Sequence, residues 1–319
     1  MADFGELLRP VVRVEITTLI DNYIDLLLSD TEVVKRPLLG SEQDIPTDTL
    51  VAEHGLSLLV TVYGDGNPHR CLFDTGYSKI GIINNMAVLD LDLESIEAIV
   101  ISHAHMDHTG ALYQVLQRLP KPLSLVVHPE AFHFPRFIKR PDGRILRFPK
   151  TLIKEDLLSN KVNLIESKEP VLISGGQIMV TGEIERTTDF EKGLAGALIE
   201  KDGKMVPDLI SDDQALIIHL EQKGLVVISG CSHSGIINTV TYARKLTGVR
   251  RVHAVLGGFH LSGPAFEPII ERTISELKTI GPEVIVPMHC TGWKAVQRFA
   301  QEFPDRFVLN SVGSTITLS

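Results

Sequence analysis

The stretch that most limits what this chain can become is Ile99-Val-Ile-Ser-His-Ala-His-Met-Asp-His-Thr-Gly-Ala111. It opens as a β-branched apolar run, which reads as a buried strand. It closes on Thr109-Gly110 and a helical pattern through Leu112, Val115, Leu116 and Leu119. Between them stand His103, His105, Asp107 and His108. Four ligand-type side chains therefore fall where a strand gives way to a helix, the edge at which open α/β sheets bind ligands. In extended backbone His103, His105 and Asp107 project to one side, with His108 next to them at the helix start. Three imidazoles and a carboxylate in so small a volume suit zinc, iron or manganese.

Other strand ends carry similar chemistry. Leu72-Phe-Asp-Thr-Gly76 ends a strand that follows a Gly/Asn turn. Ser229-Gly-Cys-Ser-His-Ser-Gly235, Gly257-Gly-Phe-His260 and Val286-Pro-Met-His-Cys-Thr-Gly292 each close an apolar run on a histidine. The H-x-H-x-D-H hexad resembles the metal motif of the metallo-β-lactamase superfamily, and Leu72–Gly76 resembles that superfamily's first motif. The three C-terminal motifs resemble one branch of it, named for 7,8-dihydropterin-6-yl-methyl-4-(β-D-ribofuranosyl)aminobenzene 5′-phosphate synthase of the methanopterin pathway. The likeness runs from about Val14 to the C-terminus.

The resemblance implies an α/β (α+β) fold, the αββα sandwich, with two half-sheets whose ends meet at one cleft. It implies two divalent metal ions, zinc before iron or manganese. One is expected on His103, His105 and His233, the other on Asp107, His108 and His289, with Asp107 also orienting or deprotonating a nucleophile. A mononuclear centre stays open, because Cys231 stands where the superfamily commonly places a bridging Asp, and Met179–Phe190 lacks the ligand histidine often found in that region. Cys231 and His260 are candidate metal or substrate contacts. By resemblance Asp74 orients a ligand histidine; as a residue by itself it reads as a cap for a helix over 78–86. His54, just before a strand, reads as structural or surface.

Three functions follow. The first is a hydrolase that uses a metal-bound hydroxide on a small, phosphorylated molecule. The second is the synthase reaction of the branch, transfer of a dihydropterin-6-yl-methyl group to a ribofuranosylaminobenzene 5′-phosphate acceptor. The third is a non-catalytic metal-bearing regulator, which a missing hexad ligand would mark; none is missing.

The rest of the chain frames that site. A single domain is expected over residues 1–319, with a flap-like or simply irregular loop over about 29–48. An arm over about 132–150 is basic and aromatic within a protein of net charge −9. There Arg136, Arg140 and Arg144 are candidates for a phosphate or carboxylate of the substrate, and a solvated hairpin with Pro-Asp-Gly at its turn is the plainer reading. Strands are expected over 11–20, 55–63, 70–73, 123–127, 171–173, 177–181, 196–200, 215–220, 224–229, 251–256, 283–286 and 307–309. Acidic balance argues against nucleic acid. Three cysteines, Cys71, Cys231 and Cys290, make no disulfide framework and fit a reduced, cytoplasmic setting. No apolar run nears the roughly 18 residues that span a bilayer, so neither membrane nor leader is expected.

Overall fold

The computed structural model describes residues 7–37, 44–119, 122–160 and 162–319. The N-terminal half supplies β1 (Arg13–Ile20), β2 (Val34–Lys35), β3 (Ser57–Tyr63), β4 (His69–Phe73), β5 (Ile96–Val100) and β6 (Ser124–Val127). An arm, β7 (Arg136–Lys139) and β8 (Ile145–Arg147), leaves this sheet, and β9 (Asn163–Glu166) returns to its edge. The second half adds β10 (Val171–Ile173), β11 (Ile178–Val180), β12 (Ala197–Lys201), β13 (Lys204–Pro207), β14 (Ala215–Leu220), β15 (Gly224–Ser229), β16 (Val252–Gly258), β17 (Val284–Met288) and β18 (Thr315–Leu318).

The first sheet runs β2-β18-β1-β3-β4-β5-β6-β9 and the second β10-β11-β14-β15-β16-β17. Alternation on β1 sends Val14 and Ile16 inward, where they meet Val60 and Val62 of β3 and the facing Leu216, Ile218, Val226 and Ile228. Parallel neighbours need crossovers, which here are helical. Gly81–Val88 lies between β4 and β5, Ile236–Thr247 between β15 and β16, and Ile270–Ile280 between β16 and β17. Ile82, Met86, Leu112 and Val115 cover the outer face of the first sheet, and Val240, Ile274, Leu277 and Phe299 that of the second. The result is four layers, αββα, with the main core between the sheets.

This topology places one set of strand ends at a shared edge. Ser102, just past β5, accepts a backbone bond from Gln214, just before β14. Gly258 at the end of β16 donates to Gly230 just past β15. The first bond joins the two sheets and the second closes the end of the second sheet, both where the polar motifs begin.

Several local expectations shift. The helix expected over 78–86 starts at Gly81, with Ser78 Oγ accepting the Gly81 amide, so Asp74 does not cap it. Phe307 makes only an isolated bridge to Ile285, and the last strand is β18, paired with β1 and β2. β13 is a further strand, paired with β12 across a tight turn at Asp202-Gly203. The arm is a hairpin, as the Pro-Asp-Gly signal indicates, and it adds to β12 and β13 as a small third sheet. Within the 29–48 loop, β2 is ordered by β18, and residues 38–43 lie outside the described ones.

Candidate metal centre

The hexad leaves extended geometry at His105, which precedes a helical turn over Met106–Thr109. Asp107 and His108 are therefore presented by a helix start, and the one-sided extended reading holds only for His103 and His105. Four non-glycine residues at these strand ends adopt positive φ: Asp74 (61°), Ser232 (54°), His260 (48°) and His289 (48°). Such backbone costs on the order of 1–3 kcal/mol per residue, and it concentrates where structure is held for a purpose.

His103 Nε2 lies 3.0 Å from His105 Nδ1, and His233 Nε2 lies 3.2 Å from the same atom. Nitrogens bound to one tetrahedral zinc at ~2.0–2.1 Å stand about 3.3 Å apart, so this triad is spaced like a ligand set. The second group centres on Asp107 Oδ2, which lies 3.3 Å from His289 Nε2, 3.5 Å from His54 Nε2 and 4.0 Å from His108 Nε2. Cys231 joins the two, with Sγ 3.3 Å from His108 Nε2 and within ligand range of His103, His233, His260, His289 and Cys290.

Whether these residues fit a cation is decided by where their protons must sit. Ser102 Oγ donates to Asp74 Oδ2 (2.7 Å), so it accepts from His103 Nδ1 (2.9 Å) and leaves His103 Nε2 bare. His108 Nδ1 donates to Asp74 Oδ2 at 2.6 Å, which turns Nε2 toward Cys231 and Asp107. His289 Nδ1 faces Asn22 Oδ1 at 3.3 Å, and its buried Nε2 makes no aligned hydrogen bond to Asp107 despite their approach. Lone pairs thus converge on the cleft while their rings are steered from behind, the arrangement that metal-ligating histidines require. The residues fit a divalent metal.

Burial shapes the charges. It lowers His103 and His233 well below the usual imidazole range and brings His105 down to about 4. For His108 burial works the same way, but the Asp74 and Asp107 carboxylates outweigh it and hold the ring at about 9. Burial would raise Asp107, yet the surrounding imidazoles keep it well below the usual carboxylate range. The site is one in which protons are held off most rings, leaving them free as ligands.

Several residues support the site from outside the ligand motifs. Asp212 accepts the Ala104 amide (2.8 Å) and Asp213 the Ser234 amide (2.7 Å), so adjacent carboxylates clamp the hexad loop and the His233 loop. Only the approach of β14 to both loops explains their burial. Arg186 Nη1 donates to the His233 carbonyl at 3.0 Å. Asp21 Oδ1 accepts the His289 amide at 2.8 Å. Phe148, at the end of the arm, stacks on His105 with ring centroids 4.7 Å apart. His54, read as structural or surface, stands at the mouth beside Asp107. None of these has a local signal, because each depends on long-range proximity.

Among the arm's arginines, Arg136 needs correction. Arg136 is buried and pairs with Asp212 (2.8 Å) and Asp208 (3.5 Å), so it braces the cleft wall and is not free to meet a substrate. Arg144 is exposed and engaged by Asp142 of its own turn at 2.6 Å; Arg140 is exposed at the same tip. His260 lies 4.3 Å, centroid to centroid, from His233 and lines a cavity of about 150 Å³ with Phe190, Lys192 and Phe266. Its Nδ1 is buried without a hydrogen-bond partner among the described residues.

An αββα sandwich with histidines, acids and a thiol converging at the shared strand edge defines a class of metal-site enzyme folds. The chain belongs to the metallo-β-lactamase superfamily, whose family model matches residues 53–183. Within it, the chain is 35% identical over 268 residues to the 7,8-dihydropterin-6-methyl-4-(β-D-ribofuranosyl)-aminobenzene-5′-phosphate synthase of Methanocaldococcus jannaschii, covering 83% of this chain and 90% of that one. An uncharacterised protein of the same organism is 36% identical over 265 residues, covering 83% and 93%. The crystal structure of a metal-dependent hydrolase of the β-lactamase superfamily superposes with a TM-score of 0.70 at 25% identity, over 96% of this chain and 98% of that one. YhfI from Bacillus subtilis shares the fold at 10% identity and a TM-score of 0.50, over 96% and 100% of the two chains. No helix among the described residues is long and apolar enough to cross a membrane.

Proposed function

We propose that this chain is a metal-dependent enzyme that joins a dihydropterin-methyl donor to a phosphate-bearing aromatic acceptor, as the named synthase does. Two divalent ions, zinc before iron or manganese, are held by His103, His105 and His233 and by Asp107, His108 and His289, with Cys231 between the sets. The observation that carries the metal assignment is the pair of nitrogens His103 Nε2 and His289 Nε2, each left bare by an acceptor behind its ring, with His108 Nε2 aimed at the same cleft by Asp74. What favours the synthase reaction over hydrolysis is 35% identity across most of both chains. The described residues act as one domain, with the 132–150 arm as an appendage that reaches the cleft through Phe148.

When bound, such ions act as Lewis acids on phosphate oxygens and lower the pKa of a coordinated water. The chain's own residues do the rest. Asp107, kept ionised, orients the attacking group or accepts its proton. Phe148 and Arg136 keep the cleft wall fixed on the His105 side. In the transfer reaction the donor's methylene carbon bonds to the acceptor and diphosphate departs.

Hydrolysis is the second reading, favoured by the 0.70 TM-score to a protein named as a metal-dependent hydrolase. One experiment separates them. Metal-loaded protein is given a dihydropterin-methyl diphosphate with the ribofuranosylaminobenzene 5′-phosphate acceptor, and separately a generic phosphodiester and thioester. Coupled product with diphosphate release supports the synthase reading. Turnover of the esters without coupling contradicts it and selects the hydrolase.

A further inference from the structure

Asn22, two residues past β1, holds two imidazoles with the two ends of one amide. Its Nδ2 donates to the His289 carbonyl at 3.1 Å, and its Oδ1 accepts the Gly55 amide at 3.3 Å. A carbonyl can only accept and a backbone N–H can only donate, so the amide's orientation is fixed. The same Nδ2 faces His54 Nδ1 at 3.2 Å, and the same Oδ1 faces His289 Nδ1 at 3.3 Å. The amide N–H requires a bare Nδ1 on His54, which puts the proton of the neutral ring on Nε2. The amide oxygen requires a proton on His289 Nδ1, which leaves Nε2 bare. Two rings with centroids 4.9 Å apart are thereby sorted into opposite tautomers.

Both Nε2 atoms lie near Asp107 Oδ2, at 3.5 Å from His54 and 3.3 Å from His289. By proximity alone His54, Asp107 and His289 form a ligand group. A metal ligand needs a lone pair, however, and only His289 offers one. The side chains also differ in access, that of His54 being 66% exposed and that of His289 fully buried.

We propose that His54 is the substrate-facing hydrogen-bond donor of this centre and not one of its metal ligands, with Nε2–H directed at a phosphate oxygen of the bound substrate. The inference rests on the metal-enzyme reading above and assigns the phosphate end of the substrate to the mouth between His54 and Asp107. Asn22 acts as the positioning residue that sets both tautomers.

Three measurements test it together. Wild type and His54→Ala take up the same metal equivalents, whereas His289→Ala takes up one fewer. Long-range proton–nitrogen NMR shows His54 as the Nε2–H tautomer, and Asn22→Asp, which has no N–H to donate, shifts it to Nδ1–H. Inorganic phosphate, used as the probe, binds zinc-loaded His54→Ala about tenfold more weakly than wild type, the scale of one charge-assisted hydrogen bond. His54→Gln, which keeps a donor, restores most of that loss. A metal equivalent lost in His54→Ala, an Nδ1–H tautomer in wild type, or unchanged phosphate affinity would overturn the proposal. If wild type takes up no metal, the reading of the centre fails, and the tautomer measured in metal-free protein still supports or overturns the role of His54.

Discussion

Asp74 Oδ2 lies 2.6 Å from His108 Nδ1, and both side chains are fully buried. The same carboxylate accepts the Ser102 amide and hydroxyl, each at 2.7 Å, and Ser102 in turn fixes His103. One side chain at the end of β4 therefore orients a candidate ligand from each metal set. Replacing Asp74 by Asn puts an N–H where three donors converge. Zinc affinity is expected to fall about 10- to 100-fold, the usual cost of losing a partner behind a ligand. Chelator competition measures it, and Ser102→Ala should give a smaller loss confined to the His103 side.

The two ligand sets are predicted to empty separately. His233→Ala removes a corner of the His103–His105–His233 triad and should cost one metal equivalent. His289→Ala should cost the other. Elemental analysis of each variant beside wild type decides the assignment; loss of both ions in either variant would mean that one set cannot hold metal without the other.

Stability of the metal-stripped protein should depend on pH in a definite way. His103, His105 and His233 are depressed by burial, so unfolding takes up protons at each of them, and stability falls as pH drops from about 6.5 toward 4. Asp213, pushed up to about 6 by burial, works in the opposite direction below that pH, as do Asp21, Glu191 and Asp208, but these four acids stand against seven depressed histidines, His54, His128, His219 and His253 included. His108, held at about 9, contributes stability that is full below about 6.5 and is lost as pH rises through 9. Thermal melts across pH 4.5–9.5 should peak near 6.5, and saturating metal should raise the melting temperature more at pH 7 than at pH 5, where protons compete for His103, His105 and His233.

The fold's principal lines were legible in the sequence because they are local. Period-2 runs such as Val14–Ile20 and buried runs such as Leu225–Ser229 declare strands, and His/Asp clusters at their ends declare an edge with chemistry. Met106–Thr109 escaped because Asp107 was read as a continuation of the strand. Asp212, Asp213 and Asn22 escaped for a different reason. Each is a polar residue beside a strand, a common pattern, and its role exists only once β14 or β1 lies against the motif loops. Arg136 was misjudged by the same blindness: it was read with the basic, exposed Lys139 and Arg140 further along the arm, while its partners, Asp208 and Asp212, lie more than seventy residues away.

The arm's arginines give a contrast in energetics. Arg136→Ala leaves Asp212 buried and unpaired, and chemical denaturation should show a loss of about 3–5 kcal/mol. Arg140→Ala and Arg144→Ala alter exposed positions and should stay within about 0.5 kcal/mol of wild type. Equal effects at all three would contradict the structural role assigned to Arg136.

The central claim is that this cleft holds metal on two ligand sets. Elemental analysis of cleanly purified protein tests it most directly. The account predicts two equivalents of zinc, iron or manganese per chain, restored by reconstitution after chelation. Less than about half an equivalent, with no gain on reconstitution, would contradict it.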